Sequence, residues 1–117
     1  MRVIVACFFA VQHHDGHVMA VSNTQPEGIA LAQVHSLLPG ELAWRYKRGS
    51  LAWEQFRHQY LAQLRANTPA IMAELGDLRR TEHDTLTLCC WEPDPRDCHR
   101  SWVAQFLSDF GLECDVH

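Results

Sequence analysis

The sequence predicts an α/β fold: a single compact three-layer domain, residues 1–117, built on a short, mostly parallel sheet. Three observations carry this reading. Residues 2–10 ("RVIVACFFA") are a continuous apolar run with β-branched and aromatic members, the pattern of a strand buried on both faces. The C-terminal third reads strand, loop, helix, strand, a βαβ unit whose strands must run parallel. Between these ends the apolar residues recur at helical spacing, which supplies the layers that cover a sheet.

Taken in order, the first strand is followed by "VQHHDG", where Asp15-Gly16 signals a turn, and then by a second short strand, "HVMAVS" (17–22). Residues 26–38 have a mixed pattern and are expected to be partly helical. Pro39 suits a first helical position and Gly49 a terminal one, so "PGELAWRYKRG" is a short helix. Ser50 is placed to cap the next helix, on which Trp53, Phe56, Tyr60 and Leu64 share one face. Asn67, Thr68 and Pro69 open a third helix marked by Ile71, Leu75 and Leu78. "TLTLCC" (85–90) is a strand. Asp97 is a candidate cap for a last helix in which Val103, Phe106, Leu107 and Phe110 follow the i, i+3, i+4, i+7 pattern. Gly111 ends it, and "LECDV" forms a final strand. Trp53, Phe56, Tyr60, Val103, Phe106 and Phe110 are the expected buried aromatic and aliphatic anchors.

Composition narrows the classes of function. The 117 residues suffice for one core and not for two. With 47% apolar and 21% charged residues the balance is that of a globular protein. No apolar run approaches the roughly 20 residues of a membrane span, so no membrane partner is expected. The start of the chain reads as a strand and lacks a small-residue cleavage site, which places the protein in the cytoplasm. A net charge of −4 does not favour nucleic acid. Five cysteines form no disulfide framework and are expected to remain thiols in a reducing compartment.

The densest chemistry lies in "CCWEPDPRDCHRSW", residues 89–102. In open α/β sheets ligands bind beyond the carboxyl ends of strands, where the chain turns into a helix, and residues 91–98 occupy such a turn. Cys98, His99 and Arg100 are expected in the first helical turn, where free N–H groups attract anions and favour a thiolate. Glu92, Asp94 and Asp97 oppose that effect. Cys90 and Arg96 match C-x5-R, the spacing of a phosphate-cradling loop, but Pro93 and Pro95 lack the N–H groups such a loop needs. A zinc site of Cys90, Cys98 and His99 lacks paired C-x2-C spacing, and two adjacent helical residues would point about 100° apart, so no metal is expected there. The P-C-x-x-C pattern of zinc deaminases is absent. His13, His14 and His17 around the Asp15-Gly16 turn are a weaker metal candidate, and Arg45, Lys47 and Arg48 a basic cluster on a helix face.

The stretch "LTLCCWEPDPRDCHRSWVAQFL" resembles the signature of the domain of unknown function 488 family, roughly L-L-C-x-E-x-D-P-x-x-C-H-R-S. The matching positions are Cys90, Glu92, Asp94, Cys98, His99, Arg100 and Ser101. Upstream, "LLPGELAWRYKRGSLAWEQFRHQYLAQL" resembles the middle segment of that family, a Tyr-Lys-x-Gly turn followed by Trp-x-x-Phe. "VSNTQP" is similar to its Ser-Arg-x-x-Pro loop, with Asn23 where many members carry arginine. The resemblance implies a compact α/β fold and a shared polar site, and supplies no activity.

The functional expectation is a small anionic ligand, phosphate-bearing or nucleotide-like, at the 90–101 loop. Arg100, Ser101, Cys90 and Asp94 are the candidate ligand-binding residues. Cys98, His99 and Glu92 are the candidate catalytic residues, as nucleophile, proton carrier and orienting group or base. No cofactor is expected. The competing reading is a non-catalytic interaction module in which the same cluster is a structural hydrogen-bond network.

Overall fold

The sheet draws its strands from both ends of the chain. In the computed structural model, which describes residues 1–81 and 84–117, β1 (Arg2–Cys7), β2 (His17–Ala20), β3 (Thr85–Cys90) and β4 (Glu113–Val116) lie in the order β2-β3-β1-β4. All three pairings are parallel, with Val5 opposite Leu88 and Met19 also opposite Leu88. The two strands end earlier than expected, at Cys7 and Ala20, because Phe8 and Val21 are where the chain leaves the ladder.

Helices α1 (Glu41–Lys47), α2 (Trp53–Ala66), α3 (Thr68–Arg80) and α4 (Arg100–Asp109) join the mixed α/β fold. The apolar stripes of α2, α3 and α4 bury Phe56, Tyr60, Leu64, Ile71, Leu75, Val103, Phe106 and Leu107 against Val3, Val5, Leu86 and Leu88 of the sheet. The opposite face carries no long helix. Ala20 and Cys89 are covered there by Phe8, Ile29, Leu31 and Trp91, so irregular chain makes the third layer. Residues 8–16 return from β1 to the start of β2 within fewer residues than a helical crossover needs. Thr87 of β3 pins them: its Oγ1 accepts from the Asp15 N–H at 2.9 Å and donates to the Asp15 carbonyl at 2.6 Å. Gly16, at φ 65°, passes so close that a Cβ would lie 2.1 Å from the Thr85 carbonyl oxygen.

Three element starts differ from the expected caps. The first helix begins at Glu41, after Gly40 rather than at Pro39, and α2 is entered at Ala52 rather than Ser50. There the Gln55 side chain accepts from the Ala52 N–H, while Ser50 Oγ instead donates to the Arg45 carbonyl. The last helix begins at Arg100 with His99 in the capping position, so Asp97 does not cap it. Phe110 follows the helical pattern but lies past the last turn and is exposed. Trp53 is half-buried. No helix of the described residues is long and apolar enough to cross a membrane.

Candidate functional site

The loop after β3 is shaped before any ligand enters the account. Asp94 accepts from the Arg96 N–H at 2.9 Å and caps a 3-10 turn at Pro95–Asp97. Cys98 is then extended (φ −133°, ψ 144°), and only at His99 (φ −64°, ψ −13°) does the chain become helical. Cys98 and His99 are therefore not successive helical positions, which corrects the expectation that both lie in the first turn. The bend between them lets both side chains face Cys90 at the end of β3.

The Sγ atoms of Cys90 and Cys98 are joined as a disulfide across a sequence separation of 8, with Cα atoms 7.1 Å apart. The expectation of five thiols is corrected: Cys7, Cys89 and Cys114 are the free ones. His99 Nε2 is 2.6 Å from the Val21 carbonyl, and since a carbonyl only accepts, that nitrogen carries the proton. Nδ1 lies 3.6 Å from Cys90 Sγ and 4.0 Å from Cys98 Sγ, while Nε2 is itself 4.0 Å from Cys90 Sγ, so that sulfur stands beside the ring rather than along the Nδ1 lone pair. Burial pushes the His99 pKa down to about 4; the bond to Val21 opposes this, and the nearby Arg100 charge adds to it. The edge of Tyr60 packs on the imidazole, with ring centroids 5.5 Å apart. Tyr60 in turn donates to the Leu37 carbonyl at 2.5 Å.

This floor opens into a narrow cleft of about 80 Å³ beyond the carboxyl ends of β2 and β3. Its walls are aromatic: Trp44 and Tyr46 of α1, Trp53 and Phe56 of α2, and Trp91 of the loop. Lys47, Asn23, Glu92 and Asp97 supply polar groups at its border. Lys47 Nζ lies 5.3 Å from the centroid of the Trp44 ring, and no carboxylate pairs with it among the described residues. Asn23 stands where the resemblance led to an expected arginine. Its amide donates to the Gly40 carbonyl at 2.8 Å and accepts from the Gly40 N–H at 2.9 Å. Gly40 adopts φ 58° and ψ −132°, a conformation reserved for glycine, so Asn23 fixes the entry to the helix that carries Trp44 and Lys47. Trp91 Nε1 donates to the Thr24 carbonyl at 2.9 Å and ties the wall to the same loop.

Of the residues singled out in the sequence, Cys90, Cys98, His99 and Glu92 border the cleft. The Glu92 carboxylate is 3.7 Å from Cys90 Sγ. Arg100, Ser101 and Asp94 do not border it. Arg100 has no exposed surface, and its guanidinium donates to three main-chain carbonyls: His117 at 3.0 Å, Glu92 at 2.6 Å and Pro93 at 3.1 Å. It clamps the loop and the end of β4 from behind, through carbonyls rather than the acids the sequence offered. Ser101 Oγ donates to the Cys98 carbonyl at 3.1 Å. The Asp94 carboxylate, besides its cap, holds the Arg96 guanidinium, and those bonds keep its pKa low, at about 2. His13, His14 and His17 form no cluster of three metal donors among the described residues. His14 Nε2 instead lies 2.9 Å from the Cys7 carbonyl, and His13 stacks on His117 with centroids 4.0 Å apart.

The aromatic wall was missed as a site because its residues keep the same helical spacing as core. One signal was present: Trp44, Tyr46 and Lys47 crowd a helix of seven residues whose described side chains are none of them fully buried. Comparison with known families completes the assignment. The family profile described as domain of unknown function DUF488 matches residues 30–107, about two thirds of the chain, from the segment before α1 through α4. The protein belongs to the DUF488 family. No curated protein and no solved structure matches it. The DUF488 match spans every cleft residue except Ser22, Asn23 and Thr24.

Proposed function

We propose that this DUF488 domain is a small-molecule site that takes a ring-bearing anionic ligand of the mononucleotide type, with only an edge of its ring entering the narrow cleft above the Cys90–Cys98–His99 floor and its sugar and phosphate outside at the mouth. The observation that carries the reading is the aromatic cleft itself, with Lys47, which pairs with no carboxylate among the described residues, at its mouth and a polar floor. Aromatic walls suit a planar base, and Lys47 suits the phosphate, the role first expected of Arg100. Glu92 and Asp97 are acceptors suited to ribose hydroxyls or ring amines. Catalysis is a further step of the same reading. His99 is neutral and has a free lone pair for a proton, and Glu92 is placed to orient a ligand. Cys98 can act as nucleophile only after reduction of its bond to Cys90.

On this reading the bonds from Arg100 to main-chain carbonyls support the loop from behind, and the cleft in front of it is the site. Titration with adenosine and guanosine monophosphates, nucleosides and inorganic phosphate, followed by thermal shift and tryptophan fluorescence, tests the proposal. Mononucleotides should raise Tm saturably and inorganic phosphate should not. Lys47→Ala should weaken them about tenfold, the loss of one charge-assisted bond, with Tm of the free protein unchanged. Failure of every mononucleotide to bind the folded protein, or binding indifferent to both Lys47→Ala and Trp44→Ala, overturns it.

A further inference from the structure

We infer that the reduced form of the Cys90, Cys98 and His99 cluster is a binding site for a thiophilic divalent metal such as zinc, open towards the cleft. The inference does not depend on the mononucleotide reading. The donor atoms Cys90 Sγ, Cys98 Sγ and His99 Nδ1 all lie within 4.8 Å of one another. A tetrahedral zinc with Zn–S near 2.3 Å and Zn–N near 2.0 Å sets sulfur and nitrogen about 3.6 Å apart. The two sulfurs are 3.6 and 4.0 Å from Nδ1, near that length, and reduction must open the third edge, the bonded sulfur pair, to about 3.7 Å.

The imidazole is prepared for the same role by its far side. Nε2 donates to the Val21 carbonyl, which holds the proton there and leaves Nδ1, the nitrogen nearer Cys90 Sγ at 3.6 against 4.0 Å, with its lone pair free. A histidine ligand held through its other nitrogen by a carbonyl is the usual arrangement at metal sites. The spacing argument against zinc assumed that Cys98 and His99 were both helical. The extended backbone at Cys98 removes that objection.

Charge fits as well. Two thiolates neutralise a dication, so a buried position carries no net charge, and the cluster is buried in all three members. All three residues border the cleft together with Glu92, so a fourth position faces ligand or water. Three protein ligands and one open position is the pattern of reactive rather than purely structural zinc.

The disulfide and the metal exclude each other. A dithiol reductant breaks the Cys90–Cys98 bond by supplying two electrons and two protons, and itself becomes a cyclic disulfide. Each protein thiol then loses its proton to solvent as it takes the metal. In a reducing compartment the dithiol is the resident form.

The test uses the whole chain in its reduced and oxidised forms, with zinc uptake measured against a chromophoric chelator and cobalt(II) as a spectroscopic probe. The reduced protein should take one equivalent of metal. Its cobalt form should show thiolate-to-metal charge transfer of two sulfurs, and the oxidised protein should take none at this site. Cys98→Ser should abolish the charge-transfer band, His99→Gln should weaken binding at least 100-fold, and Cys7→Ser, outside the cluster, should change neither. Because Cys98→Ser can also disturb folding, circular dichroism is recorded in parallel, and the wild-type cobalt spectrum counts the thiolates independently. A folded, reduced protein that takes no metal at micromolar zinc overturns the inference. So does uptake without thiolate bands, or uptake equal in the oxidised form.

Discussion

Cys98 and His99 face the cleft, while Arg100 and Ser101, the next two residues, face away from it. The four are consecutive and all polar or sulfur-bearing, yet the helix start at Arg100 splits them. Before it the chain is bent, and side chains converge on Cys90. After it the helical turn carries each residue further round, to the underside of the loop. The front pair presents one imidazole and one sulfur, the latter bonded to Cys90, at the cleft floor. The back pair donates to carbonyls of the same loop and to that of His117 beyond β4. A dense polar motif is thus split in two: one part lines the cleft, and the other is bonded to the main chain behind it.

The largest effect that separates them is expected at Arg100. Arg100→Ala leaves three main-chain carbonyls without their donor and should cost about 3–5 kcal/mol in urea unfolding. Arg100→Lys should lower Tm and leave mononucleotide affinity alone, because lysine cannot serve three divergent carbonyls. Lost affinity with unchanged Tm would put Arg100 back at the front.

A pH effect is expected from the front pair. The folded disulfide form holds His99 neutral down to about pH 4, whereas an unfolded histidine takes its proton near 6.5. Between those values the unfolded chain binds more protons, so stability is full above about pH 6.5 and falls as pH drops towards 4. Denaturant midpoints from pH 7 to 4 should show a slope on the order of 1 kcal/mol per pH unit. His99→Gln should flatten it, and an unchanged slope would mean that other groups are responsible.

The smallest effect is Ser101→Ala. It removes one local bond, from Oγ to the Cys98 carbonyl, and should cost about 0.5–1.5 kcal/mol with no change in ligand or metal binding. A larger loss in binding than in stability would show that the back of the motif positions the front directly.

The sheet and helices were legible because burial imposes period. Val3, Val5, Leu86 and Leu88 read as strand, and Phe56, Tyr60 and Leu64 as helix, for the same reason that they pack together. The caps were not legible. Ser50 and Asp97 are good capping residues by type, but their side chains answer to neighbours that spacing does not reveal. At the site, the motif and the strand-end rule led to the loop that borders the cleft. The division at His99 depends on one backbone angle at Cys98, which no residue type dictates. Phe110 shows the limit of periodicity: it keeps the i+7 position, yet the core ends one turn earlier.

The sheet order carries a consequence for how the chain acquires its structure. β1 pairs with β3 and β4, and β2 with β3, so apart from the single bridge of Ala20 to Gln33 neither N-terminal strand has a partner before Thr85. The slot between β1 and β2 is left for a strand made much later. During synthesis the apolar run 2–10 emerges well before β3 and must wait, with its ladder groups unmet, until residue 90 is clear of the ribosome. Every sheet contact then closes a long loop, which makes folding slow for the domain's size and concerted rather than stepwise. β3 is the keystone of that event, and Cys90 is its last residue. The cleft floor therefore comes into being at the same moment as the sheet, and not before.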